Sequence, residues 1–150
     1  MNVKQIVEFC FRHEECILRA VMEKRLDTGN TITGGGGGHC KMSDPTAQQA
    51  IHNISDVACV EVEYGPATDG VRAIMPLRRP LQWLKVARWT REYYDGKPQG
   101  DMIRMKYRES LLRDDICRAL KMSTASYYVA LADIFTYASG LAKGLGLTKA

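Results

Sequence analysis

Five consecutive glycines, Gly34 to Gly38, interrupt this sequence between a Thr-rich flank and a Ser/Asp-rich one. Glycine loses more backbone freedom on ordering than any other residue. Such a run therefore reads as a flexible connector between the segments on its two sides. Clustered glycines can also cradle a phosphate, but that pattern needs Lys directly after the final Gly and Ser or Thr after that. Here Gly38 is followed by His39, Cys40 and only then Lys41, so the match fails.

Ahead of the run, Val3 to about Asp27 reads as a long helix. Ile6, Val7, Cys10, Ile17 and Val21 recur at spacings near three and four, with Glu, Lys and Arg between them. Pro and Gly are absent until Thr28-Gly29-Asn30 supplies a stop. The apolar face of this helix requires a partner helix, from the same chain or from a second subunit. Residues 1–33 are thus expected to form an N-terminal helical arm, and residues 34–43 a glycine-rich linker.

Beyond the linker, Ser43-Asp44-Pro45-Thr46 is a strong helix start, with a side chain to cap the free N–H groups and Pro in the first turn. A helix is expected from there to about Val62, its apolar side formed by Ala47, Ala50, Ile51, Ile54, Val57 and Ala58. Tyr64 to Met75, broken by Gly65, Pro66 and Gly70, reads as an irregular connection, so 44–75 is a middle helix and its connection. Pro76 and Pro80 punctuate entry to a helix from Leu81 to about Tyr94. Trp83, Leu84, Ala87, Thr90 and Tyr94 face inward there, and Lys85, Arg88 and Arg91 face solvent. After a loop at Gly96-Lys97-Pro98-Gln99-Gly100, Asp101 is placed to cap a short helix through Arg108. The predicted fold class is all-α: a helical bundle with a C-terminal helix-turn-helix in 76–150 and the N-terminal arm.

Charge is unevenly spread along the chain. Residues 1–70 hold six Lys and Arg against ten Asp and Glu, a net of −4, whereas residues 71–128 hold thirteen against six, a net of +7. A basic segment joined to an acidic one suggests that the basic part recruits a polyanion.

Inside the basic segment, Asp114 to Tyr128 carries the spacing of a helix-turn-helix. Ile116 and Leu120 lie four apart on a first helix, with the small Ala119 between them, and Met122 falls where an apolar residue tucks under the turn. Ser123 is a good cap for a second helix, on which Tyr127, Ala130, Leu131 and Ile134 close the core. Thr124, Ala125, Ser126 and Tyr128 then face outward on the first turns. Hydroxyls there can bond base edges or phosphates, and Ala125 can pack on a thymine methyl. Arg113, Arg118 and Lys121 are candidate phosphate contacts. Lys121 stands where the turn usually takes a glycine. The candidate DNA-binding residues are therefore Arg113, Arg118, Lys121, Ser123, Thr124, Ala125, Ser126 and Tyr128.

Tyr93-Tyr94-Asp95-Gly96, then Ile103-Arg104-Met105-Lys106-Tyr107, then the segment through Tyr127-Tyr128 together resemble the C-terminal half of phage-encoded transcriptional regulators of the RinA and ArpU type. Those are similar in turn to the promoter-reading region four of sigma factors. The glycine run followed by Ser43-Asp44-Pro45-Thr46 is similar to the middle of such proteins, so the likeness spans most of 34–138. It implies a phage or prophage regulator of late genes in a bacterial host cell, with double-stranded DNA as partner and RNA polymerase as a candidate second one. It also implies that the helix around Ile103 and Tyr107 supports the helix-turn-helix. Operators are commonly read by two-fold dimers, which together with the unpartnered first helix predicts a homodimer. Two other readings stay open: a phage DNA-packaging protein like a small terminase subunit, and a helical interaction protein that binds no DNA.

Other chemistry finds less support. The five cysteines, Cys10, Cys16, Cys40, Cys59 and Cys117, are odd in number and scattered, unlike a secreted disulfide scaffold. Cys10, His13 and Cys16 share one helical face, with His39 and Cys40 beyond the linker, but no two cysteines have the two-to-four spacing of a structural zinc site. His52 has no partner for nucleophilic or acid–base work, so no enzyme is predicted, and no metal or cofactor. Trp83, Trp89, Tyr93 and Tyr94 are read as core aromatics. No apolar run approaches the ~18 residues of a membrane span, and Met1 to Phe9 reads as an amphipathic helix instead of a secretory signal. A cytoplasmic protein with no membrane partner is expected.

Overall fold

The computed structural model describes residues 1–33 and 57–149. The glycine-rich linker and most of the expected middle helix lie outside the described residues. Two compact units are present: Met1–Glu14 with Gln82–Ala150, and Glu15–Leu81.

The first helix, α1 (Val3–Thr33), runs through the end of one unit into the other and has non-helical backbone angles at His13. Its start is a reciprocal cap. Asn2 Oδ1 accepts from the Gln5 N–H at 2.9 Å, and Gln5 Oε1 accepts from the Asn2 N–H at 3.0 Å, so two otherwise orphaned donors are satisfied. Val7, Cys10 and Phe11 are buried in the early turns, and Ile17 and Val21 in the later ones.

In the second unit the all-α expectation is overturned. β1 (Cys59–Thr68) and β2 (Val71–Arg78) form a two-stranded antiparallel sheet, so the fold mixes α and β. The middle helix expected to reach Val62 cannot do so, because Cys59 to Val62 is strand. The reason is visible in Val60-Glu61-Val62-Glu63, whose period of two buries Val60 and Val62 and exposes both glutamates. Leu77 and Met75 stand opposite those valines in register and are buried with them. Nor is Tyr64 to Met75 irregular. Asp69 and Gly70 both have positive φ, +52° and +78°, which is the turn that matches the right-handed twist of a two-residue hairpin. The register shifts between Tyr64 and Thr68, where β1 carries Gly65-Pro66-Ala67, and this bulge is what hides the hairpin's period. Pro76 is tolerated because a two-stranded sheet consists only of edges.

The larger unit is helical. In α2 (Pro80–Tyr93) the residues expected to face inward, Trp83, Leu84, Ala87 and Thr90, are buried, as is Tyr94 just past its end. Arg91 departs from its expected solvent-facing role. It makes a bidentate pair with Glu14, two hydrogen bonds of 2.9 Å, and Arg108 adds a third at 3.3 Å. α3 (Pro98–Ile103) starts on its proline, so Asp101 lies inside it and does not cap it. The chain then widens into a π-helical turn, Arg104–Arg108, and Ser110 with φ +56° comes just after it. Met102, Ile103 and Tyr107 are buried there, and the Tyr107 hydroxyl donates to Glu8 Oε1 at 2.9 Å. α4 (Arg113–Leu120) and α5 (Thr124–Gly144) complete the unit.

Candidate nucleic-acid interface

The turn between α4 and α5 consists of Lys121, Met122 and Ser123. α4 closes on a left-handed residue, Lys121, with φ +52° and ψ +46°. The Met122 N–H bonds the Cys117 carbonyl at 3.0 Å and the Lys121 N–H bonds that of Arg118 at 3.4 Å. This pair of bonds is the Schellman pattern, which satisfies carbonyls that a helix end would otherwise leave open. A side chain in the left-handed region costs about 1–2 kcal/mol, which glycine would avoid. The two carbonyl bonds offset that cost, and the exposed lysine side chain lies in solvent beside the turn.

Ser123 then begins α5. Its hydroxyl accepts from the Ser126 N–H at 3.1 Å and lies 3.0 Å from the Ser126 hydroxyl. Below this cap, Tyr127, Ala130, Leu131 and Ile134 are buried, and Ile116 of α4 is fully buried. Each large side chain so buried contributes about 1.5–3 kcal/mol. Ser123, Thr124, Ala125, Ser126 and Tyr128 are all exposed. Alternate faces of one helix start thus serve the core and the solvent. Ala119, expected at the helix contact, is exposed instead.

No family model, curated protein or solved structure matches this chain.

The eight sequence-derived candidates lie on α4, the turn and the first turns of α5, where several are held by neighbouring side chains. Arg113 donates from Nη1 to the Tyr128 hydroxyl at 3.0 Å and from Nε to Asp114 Oδ1 at 3.1 Å. The bond to Tyr128, then that to Asp114, raises the guanidinium pKa still further. Arg118 lies 3.7 Å from Asp115, with a side chain 81% exposed, so water screens the pair and the cation remains accessible. Lys121 forms no ion pair among the described residues. Asp114 and Asp115 sit in the first turn of α4, where the helix dipole favours them. They reduce the local excess of positive charge that composition alone suggests.

Two further cations contact side chains of α5, and the sequence reading does not include them. Lys106 on the π turn donates from Nζ to the Tyr127 hydroxyl at 3.0 Å. Lys4 of α1 has its Nζ 5.3 Å from the centre of the Phe135 ring of α5. Both are placed by tertiary packing across a long stretch of sequence, so no local spacing could signal them.

Elsewhere, Cys10 is fully buried, and burial first, then the Glu14 charge, pushes its thiol pKa up to about 12. Such a thiol is a packing group and not a nucleophile at neutral pH. His13, at the kink, is held below its ordinary pKa by burial and then by Arg12. His39, Cys40 and His52 lie outside the described residues.

Proposed function

We propose that this chain is a sequence-specific double-stranded DNA-binding regulator of transcription that reads the major groove with the first turns of α5. The observation that supports this reading most is the division of labour at that helix start. Ser123 caps it, Tyr127 and Ile134 anchor it, and Thr124, Ala125, Ser126 and Tyr128 are left exposed. The major groove, about 12 Å wide, admits an α-helix, and here the small Thr124, Ala125 and Ser126 lead the exposed face with the larger Tyr128 behind them. The hydroxyls of that face act as donors or acceptors to base edges, and the Ala125 methyl suits a thymine methyl. Arg113, Arg118 and Lys121 flank that face and contact phosphates, which sets orientation and not sequence. In this reading a homodimer places two such helices on half-sites one helical turn apart.

The test is selection from a pool of random duplexes at moderate salt, with sequencing of the retained fraction. Enrichment of one motif, lost when Thr124 and Ser126 are changed to Ala, supports the reading. Retention without any enriched motif, or no retention at all, rejects it.

A further inference from the structure

Beside the exposed start of α5 lies an open recess of about 430 Å³, within the larger unit, whose walls come from four elements. Lys4 is from α1, Lys106 from the π turn, Arg113 from α4, and Tyr127 and Tyr128 from α5. Two consecutive tyrosines of the helix each hold a cation from another element on their hydroxyls: Lys106 on Tyr127, and Arg113 on Tyr128. Glu8 and Asp114 also line the recess. Asp114 is paired with Arg113 at 3.1 Å, whereas Glu8 accepts from the neutral Tyr107 hydroxyl at 2.9 Å and keeps its charge, so three cations face two carboxylates around the recess. Lys4 and Lys106 form no ion pair among the described residues, and the partner of Lys106 is a neutral hydroxyl.

Two ammonium groups that are in no ion pair among the described residues thus line one recess with Arg113, and the recess keeps a net excess of positive charge against Glu8 and Asp114. Lys106 is half-buried and its hydrogen bond to Tyr127 fixes its direction, so little side-chain entropy remains to be lost when an anion docks. Lys106 sits in the middle of the π turn and reaches α5 from there.

We infer that Lys4 and Lys106 form a phosphodiester-binding surface that carries one strand of the duplex backbone past the start of α5. This rests on the reading of α5 as the helix that enters the major groove, and it extends the DNA contact to α1 and the π turn. Each ammonium that neutralises a phosphate releases condensed counterions. Log affinity then falls against log salt with a slope of about 0.9 per contact.

The test measures duplex affinity over a salt series, on the enriched motif and on an unrelated duplex. The proteins are the full-length wild type, Lys4→Gln, the Lys4→Gln/Lys106→Gln double variant and a Lys143→Gln control. Glutamine at 106 keeps a donor for Tyr127, and Lys4 is exposed, so the fold is preserved. Lys143 lies in the last turn of α5, about 28 Å from the helix start at 1.5 Å per residue. That is well beyond the screening length of about 10 Å at 0.1 M salt. The expected result is a slope reduced by about 0.9 in the single variant and about 1.8 in the double variant. The preference between the two duplexes should be kept, and the control should show the wild-type slope. An unchanged slope in the double variant overturns this inference alone, and so does an equal reduction in the control. A wild type that binds neither duplex overturns both the inference and the reading on which it rests.

Discussion

Nη1 of Arg113 donates a hydrogen bond of 3.0 Å to the hydroxyl of Tyr128, so the first residue of α4 holds a side chain on the exposed face of α5. The guanidinium also sits 5.9 Å from the Tyr128 ring centre. One contact therefore couples a residue assigned to the backbone with one assigned to the bases. Their separate roles give a first prediction. Arg113→Gln should lower the salt slope by about 1 and, because it releases Tyr128, also reduce discrimination, whereas Tyr128→Phe should reduce discrimination and leave the slope unchanged. Salt titrations on two duplexes measure both effects, and a slope that falls in Tyr128→Phe but not in Arg113→Gln contradicts the assignment.

The cap at Ser123 should be measurable without any DNA. Ser123→Ala removes the acceptor for the Ser126 N–H and should cost about 0.5–2 kcal/mol in urea unfolding. Ser123→Asp keeps the cap and should restore most of that stability. It should nevertheless bind duplex less tightly, because a carboxylate then faces the phosphates.

Lys121 offers a change with opposite effects on stability and binding. Its left-handed backbone favours glycine, and the freedom glycine adds to the unfolded chain only partly cancels that gain. Lys121→Gly should therefore stabilise by about 0.5–1 kcal/mol and weaken duplex binding through the lost cation. A loss of stability in denaturant titration contradicts a left-handed backbone at this turn.

The Glu14 pair ties stability to pH. The hydrogen bonds from Arg91 hold the Glu14 pKa below its ordinary 4.5. Burial opposes this, and the charges of Arg91, Arg108 and Arg88 add to it. A carboxylate with a depressed folded pKa contributes stability that is fully present above the unfolded value and lost as pH falls through the folded one. Glu14→Gln should cost about 1–3 kcal/mol near neutrality, since both partners are about three-quarters buried. The difference from wild type should stay constant down to about pH 5 and shrink below pH 4.5. A difference that grows on acidification contradicts the pairing.

The helices around the candidate site are legible in the sequence because their signals are local. Ile116 and Leu120 lie four apart, Ser123 precedes a small-residue turn, and Tyr127, Ala130, Leu131 and Ile134 keep helical spacing on a buried face. The hairpin escapes the sequence reading although its signals are also local. Asp69-Gly70 is a hairpin turn and Val60-Glu61-Val62-Glu63 alternates. Gly65-Pro66-Ala67, three residues opposite Arg72 alone, however, break the period that would link the two strands. The Asn2–Gln5 cap is likewise available as an N-cap with Gln three residues later. What no local pattern can supply are the long-range pairings. Glu14 meets Arg91 across 77 positions, Glu8 meets Tyr107 across 99, and Lys106 reaches Tyr127 across 21. For that reason local spacing presents Arg91 as a solvent-facing cation and gives no sign that Lys4 and Lys106 reach α5.

The central claim is that the exposed start of α5 discriminates between DNA sequences. Its most direct test is the ratio of affinities for the enriched duplex and an unrelated one, compared between wild type and a Thr124→Ala/Ser126→Ala/Tyr128→Ala variant with helicity matched by circular dichroism. The expected result is a wild-type ratio of about 10³ or more, falling towards unity in the variant while non-specific affinity and its salt slope persist. A variant that keeps the wild-type ratio would show that sequence is read elsewhere on the protein and would contradict the assignment of α5.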